Sequence, residues 1–287
     1  MLAQVLVNGI LLGGIYALIG VGFSLVWGIM NIINVAHGAF IMLGAFIAFW
    51  VFTLLGLDPL LSLPLTMGVL FLLGYGTQKA LINRVIRAPL FMTLIVTFGL
   101  ELLLMNAALI LWTATPRSVI TSYSSDALTF GDVRIPTARL LISVVALLLT
   151  GALQLFLTHT RVGNAIRATR MDLEAAQLTG VRIDRVYALT FGLGAAMAGA
   201  AGALISTISA ITPVMGIGYT GKAFAVCVLG GLGSITGALV GGLLLAMIEV
   251  VAGSVIGPSY QDLISYLVLV LVLAVFRRGV LGRSYYQ

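Results

Sequence analysis

The sequence predicts an all-α fold: a polytopic transmembrane helical bundle of about eight to nine crossings. Three observations carry that expectation. Hydrophobic types make up 61% of the 287 residues and charged types only 8%, with a mean hydropathy of +1.17; a soluble domain carries about 25% charged residues. Apolar runs of roughly 20 residues, the length that crosses a hydrocarbon layer, recur along the whole chain. The basic residues gather in a few gaps between these runs instead of along one face, so they read as topology signals and not as a nucleic-acid surface. Only helices and closed barrels satisfy their backbone groups in lipid, and the runs are too long and too continuously apolar for barrel strands. A soluble catalytic domain is excluded by the same arithmetic. Cys227 stands alone and His37 and His159 are isolated, so no disulfide framework or metal site is expected.

The runs fall at 5–27, 36–55, 60–78, 89–112, 137–157, 187–211, 236–256 and 260–277, and a Gly-rich ninth at 219–235 is interrupted. No charged region precedes Val5 and no small-residue cleavage site follows the first run, so it is read as a membrane helix and not a leader. Eleven of the fifteen basic residues lie in 79–88, in 158–186 and in the tail with Arg277, Arg278 and Arg283. Basic loops are retained inside, so these three segments are expected in the cytoplasm. The loop 113–136, where Arg117 and Arg134 are offset by Asp126 and Asp132, is expected outside as a small flap, with the N-terminus. Parity then requires residues 213–235 to cross as well. Pro213 and the glycines that follow it suggest a broken or unwound helix, tolerated at membrane depth only against protein or a cavity. The break Asn31–Gly38 invites the same reading. Each break follows a Gly- and Ala-rich helix, and those two helices run in opposite directions; an inverted internal repeat would account for this. The whole chain, 1–287, is read as one membrane domain.

Several polar residues interrupt the runs. Asn31, Asn34 and His37 are three apart and would share a helical face, though a loop and N-cap fits them equally well. Thr93, Thr97 and Glu101 are four apart, and an intramembrane carboxylate such as Glu101 or Glu249 belongs on the bundle interior or a cavity, most often paired with a hydroxyl or a base. With Gly38, Gly230 and Gly231, the residues Asn31, Asn34, His37, Thr97 and Glu101 form the candidate lining of a path through the membrane. Gly233, Gly237 and Gly241, and Gly9 with Gly13, make smooth stripes for close helix contact, including contact between subunits. Lys222 is costly at depth and is expected to snorkel to the outer interface. Gly216–Lys222 imitates the spacing of a phosphate-binding loop, but Ala223 stands where the metal-binding hydroxyl is needed and no strand precedes it. No nucleophile, base and oxyanion set can be assembled from these residues.

The gap 158–186 holds a short helix: Asp172 caps it, Leu173, Ala176 and Gln177 fall on one side, and Gly180 ends it. A small-residue face of this kind suits insertion into a groove on another protein. This run, from Arg161-Val-Gly through Arg167, Asp172 and Ala176 to Gly180-Val, is one of three telling blocks. The others are Asn34-Val-Ala-His-Gly38 and Lys222-Ala-Phe…Val228-Leu-Gly-Gly-Leu-Gly-Ser…Gly237-Ala…Gly241-Gly. Together they resemble the inner-membrane permeases of branched-chain amino acid ABC transporters over nearly the whole chain. The resemblance implies a translocation subunit in a prokaryotic inner membrane that pairs with a second, similar permease. It also implies two cytoplasmic ATPases that hydrolyse the ATP, no cofactor on this chain, and an external substrate-binding protein. Arg167, Asp172, Glu174, Ala175, Ala176 and Gly180 then occupy the coupling helix that sits in the ATPase cleft. A related permease for urea or short amides is the alternative within this class, and a self-sufficient secondary transporter or channel is the reading from another class; it has no need of the 158–186 helix.

Overall fold

The computed structural model describes residues 2–257 and 260–275, so the basic tail lies outside the described residues. Seven helices among them are long and apolar enough to cross a membrane, joined by two shorter apolar ones: the chain is a multi-pass helical bundle. The first half runs α1 (Leu2–Met30), α2 (His37–Leu55), α3 (Pro59–Thr77) and α5 (Leu90–Trp112). Asp58 caps α3, its carboxylate accepting from Leu60 N at 2.8 Å, with Pro59 preset for the first turn. The helix does not stop where the basic residues begin. A π-helical turn, Gln78–Ile82, and a last α turn, α4 (Asn83–Val85), carry Lys79 and Arg84 on helical backbone, so the expected loop 79–88 shrinks to its last residues. Lys79 lies 4.8 Å from the ring centroid of Tyr75, a cation–π contact one turn apart on this helical backbone.

The flap 113–136 contains a feature that hydropathy hides. Ala127–Phe130 (β1) pairs antiparallel with Val133–Pro136 (β2) around Gly131-Asp132, Gly131 having φ +57° as a tight hairpin turn requires. Gln4 holds the hairpin to α1, accepting from Arg134 N at 2.7 Å and donating to Arg134 O at 2.8 Å. Tyr123 donates to Asp58 at 3.0 Å; burial, then the Asp58 carboxylate, pushes its phenol up to about 12.

Next come α6 (Thr137–His159), α7 (Arg161–Met171), α8 (Leu173–Leu178), α9 (Ile183–Ile205), α10 (Met215–Gly230), α11 (Ile235–Val255) and α12 (Gln261–Val275). The run placed at 187–211 is displaced: α9 starts at Ile183, and residues 206–211 leave the helix to let Ile211 bridge Arg117. The segment 213–235 is not broken inside. It is an unbroken helix of 16 residues followed by a turn at 231–234 in which Gly231 and Gly233 take positive φ. Ser234 then caps α11 through Gly237 N at 3.0 Å.

The glycine stripes pack inside this chain. A methyl group on Gly13 would lie 2.6 Å from Leu243 Cδ2, and one on Gly74 2.5 Å from Ala195 Cβ. Gly237 and Gly241 press on the backbone of α10, while Gly233 lies before α11 and not on its face. The helix contacts are matched between the two halves. α1 packs on α11 as α9 packs on α3, and α2 and α10 each follow the helix that starts their half. The core between α1 and α9 is built from small residues, with Gly22 against Gly194 and Met197, which lets the two backbones approach closely.

Candidate functional site

The site is built by two chain reversals. Asn31, with φ +50°, turns the chain back at the end of α1. Residues 31–36 then return along α1 until His37 Nε2 lies 3.1 Å from Ile19 O, eleven residues short of Met30. That is about 16 Å of helix rise. The three polar residues therefore share no helical face: Asn31 is exposed, Asn34 is buried in the re-entrant segment, and His37 is buried in the first turn of α2. On the other half, residues 206–214 leave the hairpin side of the bundle after α9 and bring the start of α10 to the same level. Gly38 and Gly216 meet there; a methyl group on Gly216 would lie 2.6 Å from Gly38 O. From that crossing α2 runs toward Asp58 and the hairpin, while α10 runs the other way, to Gly233 beside Gly28 and Arg170.

Side chains converge on the crossing. Thr97 Oγ1 on α5 donates to Ile33 O at 2.9 Å and accepts from Val35 N at 3.2 Å, so it clamps the re-entrant backbone. Thr220 does the same from α10. Its hydroxyl accepts from Gly38 N at 3.0 Å and lies 3.1 Å from Val35 O and 3.5 Å from Glu101 Oε1. Glu101, buried as expected, faces the bundle interior at this point. Asn34 Oδ1 and His37 Nδ1 are buried with no hydrogen-bond partner among the described residues, an arrangement that suits water or a passing polar solute. Among the described residues the Thr93 hydroxyl bonds only to Leu90 O in its own helix. Gly230 and Gly231 are elsewhere, at the far end of α10 against α11. Thr220 was missed by sequence reasoning; a hydroxyl one turn after Gly216 in an apolar run is the signal that could have found it.

Lys222 does not snorkel free. Its ammonium meets Tyr16 OH at 2.7 Å, Asp262 at 2.8 Å and Glu249 at 3.4 Å, with Glu249 also accepting from Tyr16. Gly216–Lys222, the stretch with phosphate-loop spacing, is helical.

At the opposite end of the molecule from the hairpin, α7 and α8 project from the bundle. Thr160 caps α7 through Gly163 N at 3.0 Å, and Arg167 donates to Asn164 at 2.7 Å within it. Asp172 caps α8 through Ala175 N at 2.9 Å, and Gly180, with φ +86°, follows its end. Glu174 and Ala175 are exposed, but Ala176 is only 3% exposed because it packs inward. The most exposed apolar residues of the two helices are Met171 and Leu178, 87% and 89% exposed.

A multi-pass helical bundle whose two reversed chains meet at a polar crossing, with a capped helix displayed at one end, has the form of a membrane transport permease. The chain belongs to the family described as the permease component of branched-chain amino acid transport systems, which matches residues 5–273. The high-affinity branched-chain amino acid transport system permease protein BraD of Pseudomonas aeruginosa is 38% identical, over 98% of this chain and 95% of its own. The corresponding LivH protein of Escherichia coli is 35% identical over the same shares. A probable LivH of Methanocaldococcus jannaschii is 27% identical, over 97% of this chain and 92% of its own. Among solved structures, PsaBC from Streptococcus pneumoniae in complex with Fab is similar with a TM-score of 0.44 at 12% identity, covering 98% of this chain and 92% of that one.

Proposed function

We propose that this chain is the translocation subunit of an ATP-driven importer of branched-chain, aliphatic amino acids in a prokaryotic inner membrane. It works beside a second permease, two ATPases and an external binding protein. The observation that carries the reading is the α7–α8 unit: two capped helices that hold Met171 and Leu178 outward, 87% and 89% exposed, where a groove on a partner can receive them. The excess of Lys and Arg at that end supports a cytoplasmic side for it and an outer side for the hairpin. The coupling role belongs to Arg167, Asp172, Glu174, Ala175, Ala176 and Gly180, with the first as a helix brace, Asp172 and Gly180 setting the ends, and Ala176 seating the helix on its own bundle. Substrate passes beside the crossing of α2 and α10, near Asn34, Gly38, Thr97, Glu101 and Thr220, and alternating access tilts one half of the repeat against the other. ATP binds only to the partners, since the backbone of Gly216–Lys222 is spent on helix bonds and Ala223 offers no metal ligand. The test is the complete importer in proteoliposomes, supplied with its binding protein. ATP-dependent leucine uptake that exceeds uptake of urea and acetamide is expected; preference for the amides, or uptake by this chain without ATPases, overturns the reading.

A further inference from the structure

Two cavities on the hairpin side are continuous. The outer one, about 510 Å³, opens between Gln4, Arg134, Pro136 and Thr207. The inner one, about 300 Å³, descends along α1 past Leu12 and Ile15 to Tyr16 and Tyr219. Asn8, Arg139 and Ile208 line both and form the neck. Where the cleft opens, its charge is all of one sign. Arg134 on the hairpin and Arg139 in the first turn of α6 line the outer cavity, and neither guanidinium has an ion-pair or hydrogen-bond partner among the described residues. No described carboxylate lines either cavity. Below the neck the wall is aliphatic, with Leu11, Leu12, Ile15, Ile205 and Val250. The bottom is polar but already paired: Lys222 meets Tyr16 OH at 2.7 Å and, from behind the wall, Asp262 at 2.8 Å and Glu249 at 3.4 Å. From Gln4 to Tyr16 the axis of α1 rises about 18 Å, close to the roughly 15 Å of hydrocarbon in one leaflet. A cationic mouth above an aliphatic slot one leaflet deep has the order of parts of a membrane lipid.

We propose that this cleft holds one anionic phospholipid from the leaflet on the hairpin side. Its phosphate pairs with Arg139 and Arg134, whose forked donors match phosphate oxygens. One acyl chain lies in the inner cavity against α1 and α11, and the other stays in the bilayer. Net charge decides the headgroup. A zwitterionic lipid would bring an ammonium to a mouth that already holds two cations and offers no carboxylate, whereas phosphatidylglycerol brings negative charge alone. A small soluble anion would satisfy the guanidiniums but leave the aliphatic slot empty. The lipid ties the hairpin, α1 and α6 at the mouth to α11 below. The inference does not depend on which solute the permease carries.

The experiment uses the full chain, purified and delipidated in a neutral detergent together with the subunits that accompany it. Binding of labelled phosphatidylglycerol is compared with binding of phosphatidylethanolamine and phosphatidylcholine of the same acyl chains. Phosphatidylglycerol should bind at least tenfold more tightly than either. Arg134→Gln combined with Arg139→Gln should erase that preference, and Lys at both positions should restore part of it. Glycerophosphoglycerol, the same headgroup without acyl chains, should compete at least a hundredfold less well than the intact lipid. Both arginines are exposed, so the lipid-free thermal midpoint of the double Gln variant should match that of the parent, which separates loss of the site from loss of the fold. Equal affinity for the three lipids, or phosphatidylglycerol binding unchanged in the double Gln variant, overturns the site. Competition by inorganic phosphate or by the chainless headgroup at the level of the intact lipid overturns it too, and leaves an adventitious ion only at the two arginines.

Discussion

At the crossing a single hydroxyl serves three backbone positions and a carboxylate. Thr220 can do this because α10 starts level with Gly38 and the absence of a Cβ at Gly38 and Gly216 lets the backbones touch. Thr220→Val keeps the volume but leaves Gly38 N buried without an acceptor, at a cost of about 1–3 kcal/mol; Thr220→Ser should recover most of it. The measurement is the thermal midpoint of the purified complex, and equal midpoints for the Val and Ser variants would remove the hydroxyl from the account. Lys222 has a comparable place among Tyr16, Glu249 and Asp262. Lys222→Met alone leaves Glu249 buried and unpaired, and breaking such a pair costs about 3–5 kcal/mol. Lys222→Met with Glu249→Leu should regain much of that loss, because replacing both members removes the stranded charge. Membrane abundance of the two variants checks it, with recovery expected only in the double one.

The α7–α8 unit shows how burial divides one helix between two tasks. Asp172, Glu174 and Gly180 stand where the sequence places a capped, terminated helix, yet the small face at Ala176 turns inward and its carbonyl accepts from Val181 N. Ala176→Arg would thus force a charge into the chain's own packing and lower membrane abundance as well as ATPase binding. Leu178→Asp changes a side chain that is 89% exposed, so abundance should hold while ATPase capture falls about tenfold, equivalent to about 1.4 kcal/mol. Pull-down with abundance as control decides it; a Leu178→Asp complex that retains its ATPases would place the contact elsewhere on the loop. The hairpin teaches the opposite lesson. Gly131-Asp132 between two short alternating runs is a two-residue turn signal, obscured in a chain whose other segments are all judged by apolar length.

In the molecule as a whole, the two halves predict matched behaviour. Gly13 on α1 meets α11 as Gly74 on α3 meets α9, so Gly13→Val and Gly74→Val should each destabilise by the typical overpacking cost of about 1–3 kcal/mol. A large loss in one and none in the other, read from thermal midpoints, would deny the equivalence. Sidedness has its own check, since the native Cys227 is buried and silent. Ser125→Cys should react with an impermeant thiol reagent in intact cells while Glu174→Cys is protected, and the reverse pattern inverts the topology. The sequence by itself determined the helical bundle, most crossings, the capped helix at 172–180 and the interior place of Glu101, because apolar length, cap residues and desolvation of a carboxylate are local or one-body properties. Tertiary structure alone decided that Asn31–Ala36 folds back to the level of Ile19, that Thr220 and Thr97 clamp it, that Lys222 finds two acids, and that Ala176 is spent inside the chain. Those facts depend on which backbones approach within a side chain's reach across long stretches of sequence, and in a chain this uniformly apolar the pattern along any one helix does not distinguish the face toward lipid from the face toward its neighbours.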